Sequence, residues 1–144
     1  MSGSRQDVVT EARRWVGTPY HDRGRICGVG VDCAMLPAEV YHAVGLIPLL
    51  EMDYSPQWYQ HRDEELFLDW VRPHAREIPR EQLAAGDFVI WRFGRTFSHG
   101  AIVVEPPVII HALVRGRAVI EDNMDISIDL VGREALYFTL WDDQ

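Results

Sequence analysis

The apolar residues of this chain follow a helical period as far as Val71, then give way from Phe88 onward to short runs of β-branched and aromatic residues. A helix buries one stripe and a strand one or both faces, so helices followed by strands restrict the chain to an α+β arrangement. The early helices should then pack on one face of an antiparallel sheet. Val8, Val9, Ala12 and Trp15 recur at spacings of three and four and predict a helix over residues 4–16, stopped by Gly17-Thr-Pro19. Cys33 to Val44 reads as a second helix, with Asp32 as N-cap, Gly45 at its end and a kink or late start at Pro37. Asp63 to Val71 reads as a third helix, placing Leu66, Phe67 and Trp70 on one face. Residues 46–62, with prolines and the aromatics Tyr54, Trp58 and Tyr59, read as an ordered loop on the body. Strands are expected over residues 88–93, 100–105, 108–114, 118–121 and 136–141, as an antiparallel meander completed by the last of them.

At 144 residues, 47% hydrophobic and 25% charged, the chain is long enough to close one core without staples, which predicts a single domain over 1–144. Its net charge of -8 and scattered arginines set its field against phosphate backbones, which argues against nucleic acid as a partner. The N-terminus lacks an apolar core and no run of about 18 apolar residues occurs, so cytoplasmic synthesis without a signal peptide, and no membrane insertion, are expected. Cys27 and Cys33 are too few for a disulfide scaffold and are not spaced as a redox pair.

Cys33 follows an N-cap at the start of a helix, where free N–H groups and the dipole favour a thiolate; the competing reading is an inert core cysteine. His99 precedes Gly100-Ala-Ile-Val-Val104 and should open a strand at a sheet edge, while His111 lies inside the apolar run Val108–Leu113 and needs a polar partner. If those strands pair around Pro106-Pro107, the two histidines come together as base and orienter for a cysteine nucleophile. Cys27, Cys33, His99 and His111 are alternatively four ligands for zinc, although neither spacing suits a knuckle or finger. Cys27 otherwise reads as a surface thiol, and His21, His42, His61 and His74 as solvated or capping residues.

Five segments occur in the order of one family. Gly17-Thr-Pro-Tyr20, Val31-Asp-Cys-Ala-Met-Leu36, Ala85-Gly-Asp87, Ser98-His-Gly-Ala-Ile-Val103 and Ile109-Ile-His-Ala112 resemble the NlpC-type, papain-like cell-wall cysteine peptidases over about residues 5–121. The resemblance implies Cys33 as nucleophile, His99 as general base and acid, and His111 as the third, polarising residue. It implies an oxyanion hole from Tyr20 and the Cys33 amide, and contacts from Asp32 and Ser98 to the free α-amine of a peptidoglycan stem peptide. For Asp32 the N-cap role competes with this, and for Tyr20 plain packing does. No cofactor or metal is implied. The implied bond is D-γ-glutamyl to diamino acid. Arg23-Gly-Arg25 and the Tyr54 loop resemble the phage-tail-associated branch, which would add tail proteins as partners and the virion as location. The chain departs from many relatives at His21-Asp-Arg-Gly24 and Ala34-Met35, which bears on the cleft floor. Two alternatives stay open on sequence grounds: an amidase or acyltransferase on the same scaffold, and a non-catalytic tail component that keeps the fold.

Overall fold

The computed structural model describes residues 3–51 and 66–142. Helix α1, Arg5–Arg14, opens with a capping box in which the Ser4 hydroxyl accepts from Asp7 N and the Asp7 carboxylate from Ser4 N, each at 3.1 Å. A small hairpin, β1 (Arg25–Ile26) with β2 (Gly30–Val31), leads to α2, Met35–Ala43, and α3 spans Leu66–Val71. The remaining strands are β3 (Arg76–Ile78), β4 (Phe88–Phe93), β5 (Thr96–Glu105), β6 (Val108–Leu113), β7 (Ala118–Asn123) and β8 (Ala135–Thr139). They form one antiparallel sheet in the order β3-β8-β4-β5-β6-β7.

The helical layer packs on one sheet face, where Val8, Ala12, Leu36, Val40 and Phe67 meet Phe88, Ile90, Ile102, Ile110 and Phe138. On the other face Val89, Trp91, Ala101, Val103 and Ile109 are covered by Met124 and Leu130. Burial on both faces explains why β5 and β6 read as continuous apolar runs rather than alternating ones.

The α+β layering and the β4–β7 meander are as the sequence predicts. One expectation is corrected, and one strand is added. The last strand does not extend the meander past β7 but returns to lie between β3 and β4, where Leu136 and Phe138 oppose Ile90 and Phe88. β3, too short and charged to be read as a strand, pairs with its outer edge. The loop residues Tyr54, Trp58 and Tyr59, and the first residues of the expected third helix, lie outside the described residues. Among the described residues no helix is long and apolar enough to cross a membrane.

Two polar features hold the layers in place. Asp87, 0% exposed at the start of β4, accepts from Arg5 Nη1 at 2.8 Å, Thr139 Oγ1 at 2.6 Å and Ala84 N at 2.9 Å, which ties α1, β8 and the preceding turn to one carboxylate. Residues 17–20 lie along the outer edge of β7, with Gly17 N donating to Val119 O, Val119 N to Thr18 O and Tyr20 N to Arg117 O. That segment covers the sheet edge and fixes the backbone of Tyr20.

Gly100 marks the closest approach of the layers. A Cβ there would lie 2.4 Å from Phe88 Cζ and 3.1 Å from Phe67 Cζ. Gly100→Ala is therefore expected to lower unfolding free energy by about 1–3 kcal/mol, read from the urea midpoint at unchanged m.

Candidate active site

The local fold at Cys33 is set by Asp32. Its Oδ1 accepts from Ala34 N at 3.1 Å and Met35 N at 2.9 Å, and its Oδ2 from Arg23 N at 2.8 Å. At 2% exposure this carboxylate is the cap of the helix start, and its placement is that of the capping role. Regular helix begins only at Met35, because Pro37 has no N–H to bond the Cys33 carbonyl, while Leu36 N reaches Asp32 O at 3.1 Å. Cys33 thus stands in an irregular lead-in turn and not within the helix. Its thiol approaches the Ser98 carbonyl at 3.4 Å, and the Tyr20 hydroxyl lies 4.0 Å from Sγ.

Ser98 owes its position to a bulge. Trp91 pairs with His99 and Arg92 with Phe97, which leaves Ser98 without a register partner on β4. The extra residue turns this part of β5 toward the α2 start. His99 is then not at a sheet edge, as the sequence suggested, but inside an interior strand that begins at Thr96, and is 6% exposed. Thr96-Phe97-Ser98 carry enough β propensity to extend the strand back toward the Gly94-Arg95 turn.

His99 Nε2 lies 2.8 Å from His111 Nδ1, as the pairing around Pro106-Pro107 predicts. A further member of this chain of polar groups is absent from the sequence reading: His111 Nε2 lies 3.0 Å from Asp122 Oδ2. With Ile109 opposite Asp122 and His111 opposite Ile120, the acid sits one diagonal step from His111 on the same face. Only the β6–β7 register could have revealed it. Phe93 and Trp91 flank the His99 ring, with centroids 5.1 Å and 6.0 Å away.

The electrostatics run against the thiolate expectation. Burial first, and the neighbouring Asp32 charge second, push the Cys33 thiol up to about 12, against a smaller opposing effect of the Tyr20 hydrogen bond. These effects oppose the thiolate that the helix start favours. Burial, then His111 and Arg133, hold His99 well below its ordinary 6.5, and burial lowers His111 despite Asp122. Burial and the Cys33 and Asp32 charges raise the Tyr20 phenol, which stays a donor throughout the physiological range. These shifts favour the uncharged forms of both thiol and imidazole.

This has a stability consequence. Both buried histidines bind protons more weakly folded than unfolded, so below pH 6.5 the unfolded chain takes up protons first and gains on the native state. The contribution is full above that pH and is lost as pH falls, with a slope of up to about 1.4 kcal/mol per unit for each histidine. Denaturant titrations should show nearly constant stability from these groups between pH 7 and 8 and a clear decline by pH 5.5. A flat profile down to 5.5 would contradict their burial as neutral rings.

Tyr20, Cys33, Ser98 and His99 line a cavity of about 260 Å³ whose mouth carries Phe93, Leu113, Val114, Arg115 and Asp129. Arg115 Nη1 and Asp129 Oδ1 stand 3.5 Å apart there. The four residues weighed as zinc ligands do not converge. Cys27 Sγ contacts the Arg14 carbonyl at 3.3 Å, the two histidines point at each other, and among the described residues no three His, Cys, Asp or Glu groups gather to hold a metal. Both cysteines are free thiols. Arg23 and Arg25 are engaged in structure: the Arg23 amide holds Asp32, and Arg25 binds Glu39 at 2.7 Å and the Leu50 carbonyl at 2.6 Å.

The profile of the NlpC/P60 family matches residues 14–128. Among solved structures, the NlpC/p60 domain of the peptidoglycan hydrolase SagA superposes with a TM-score of 0.65 at 22% identity, covering 92% of this chain and 97% of that one. NlpC1 from Trichomonas vaginalis gives 0.68 at 14% identity over 96% of this chain, which spans only 44% of that longer protein. RipD from Mycobacterium tuberculosis, a non-catalytic NlpC/p60 domain protein adapted to peptidoglycan binding, gives 0.60 at 15% identity, covering 95% and 97%. At these identities the likeness concerns the fold. Among curated protein sequences no significant match is found.

Proposed function

The chain belongs to the NlpC/P60 family, and from that premise we propose that it is a cysteine peptidase hydrolysing an amide bond in peptidoglycan stem peptides. The observation that carries this reading is the 2.8 Å bond from His99 to His111, with Cys33 and His99 lining one cavity.

The geometry supports one assignment of roles to the atoms. His99 Nε2 is committed to His111, which leaves Nδ1 for the thiol. As Cys33 Sγ attacks the carbonyl carbon, its proton passes to His99 Nδ1 and the carbonyl oxygen takes the negative charge. The Tyr20 hydroxyl and the Cys33 amide are the donors for that oxygen. The C–N bond then breaks, Nδ1 returns the proton to the leaving amine, and a thioester remains. Water, deprotonated by the same nitrogen, hydrolyses it and restores the thiol.

Ser98 and Asp32 stand beside the pair as the residues nearest a stem-peptide α-amine. Ser98 lines the cavity, whereas Asp32 would act through its negative field, its oxygens being occupied by backbone donors. The D-γ-glutamyl to diamino-acid bond and a phage-tail setting are the finer parts of the proposal and rest on the motif resemblance.

The test is digestion of purified peptidoglycan by the wild type and by Cys33→Ala, with released fragments identified by mass. New amino and carboxyl ends at one stem-peptide bond are expected from the wild type alone. Cleavage at the sugar–peptide amide would instead assign an amidase, and intact wall in both samples, with binding retained, would assign a role like that of RipD.

A further inference from the structure

We propose that Asp122 is a positioning residue for this chemistry: through His111 it dictates which nitrogen of His99 carries the proton, and so keeps the lone pair on Nδ1, the nitrogen that the proposed mechanism uses as base. The inference rests on the cysteine-peptidase reading.

Donor and acceptor requirements propagate along the three groups. An ionised carboxylate only accepts, so the 3.0 Å contact from Asp122 Oδ2 requires a proton on His111 Nε2. His111 is 0% exposed and its neutral ring then has only an acceptor left at Nδ1. The 2.8 Å contact consequently requires the proton of His99 to sit on Nε2, which leaves Nδ1 unprotonated. Remove the carboxylate and the pair has two arrangements of equal hydrogen-bond count. In the second, His111 donates from Nδ1, His99 Nε2 accepts, and the His99 proton moves to Nδ1, where it cannot receive one from the thiol. Asp122 breaks that symmetry.

The acid is itself held in place. Asp122 Oδ1 accepts from Asn123 N at 2.8 Å, and its side chain is 23% exposed. The other charges that bear on the relay are Asp129, which favours protonation of His111, and Arg133, which disfavours protonation of His99. These two act on the imidazoles through their fields, whereas Asp122 bonds a ring nitrogen and thereby selects the tautomer.

The experiment combines kinetics with ¹⁵N NMR of the imidazole nitrogens in the intact protein. In the wild type, His99 and His111 should both appear as the Nε2–H tautomer, a reading that needs no turnover. Asp122→Asn should lower kcat on peptidoglycan at least tenfold, with KM nearly unchanged, and should shift the His99 signals toward Nδ1–H. Asp122→Glu, which retains a carboxylate, should recover part of the rate and the wild-type tautomer. Wild-type His99 found as Nδ1–H overturns the proposal, as does an Asp122→Asn protein whose tautomers are unchanged, whatever its activity. Should the wild type leave peptidoglycan intact, the peptidase reading fails while the tautomer measurement still decides the role of Asp122.

Discussion

Cys33→Ala is expected to lower peptidoglycan hydrolysis by about 10⁴-fold or more while leaving the fold intact, since removal of a catalytic nucleophile in a hydrolase has an effect of that order. The fold should survive because, among the described residues, the thiol's polar contacts are long, 3.4 Å to the Ser98 carbonyl and 4.0 Å to the Tyr20 hydroxyl, and it packs at a cavity wall. Its unfolding free energy should therefore stay within about 0.5 kcal/mol of wild type. His99→Ala should fall in the same range of activity, and the double variant little further, because sulfur and imidazole act as one unit. Rates from released amino groups, measured on matched protein concentrations, check both. A Cys33→Ala protein that digests the wall at the wild-type rate would remove the peptidase reading altogether.

The largest loss of stability is expected from Asp87→Ala. The carboxylate is buried and accepts from Arg5, Thr139 and the Ala84 amide, so its removal takes the counter-charge from a mostly buried guanidinium, which keeps only neutral partners such as the Ala85 carbonyl, and takes an acceptor from a hydroxyl and an N–H. Breaking a buried pair from one side typically destabilises by about 3–5 kcal/mol, a large share of the roughly 5–15 kcal/mol that holds a domain folded. Asp87→Asn keeps one acceptor oxygen for Thr139 and should lose less. Urea titration of both variants tests this, and an Asp87→Ala midpoint equal to wild type would refute the tie between α1, β4 and β8.

Much of the fold is legible from residues alone, for reasons that differ by residue. Period and punctuation locate α1, α2 and β4 to β7 because those signals are local: one stripe, one cap, one turn. The motif around Cys33, His99 and His111 is legible because the residue types, in that order, match the requirements of thiol chemistry. Asp122 is not, because its partner is reached through strand register, which no local pattern encodes. β8 is recognisable as a strand but not placeable, since its apolar residues fit either edge of the meander. The helix start at Cys33 suggests a dipole-stabilised thiolate, whereas burial and the Asp32 charge push the thiol in the opposite direction, an effect that no local pattern encodes. Ala85-Gly-Asp87 belongs to the family pattern, and its acid braces three elements.

The base of the proposed reaction rides on β5, an interior strand covered on both sides, whereas Val114, Arg115 and Asp129 at the cavity mouth belong to connections between strands. In the proposed mechanism the base is thereby held by the sheet interior, while the cavity mouth is built on connections that tolerate change. Loop grafts at 114–117 and 124–134 are accordingly expected to alter what the cavity admits without displacing His99.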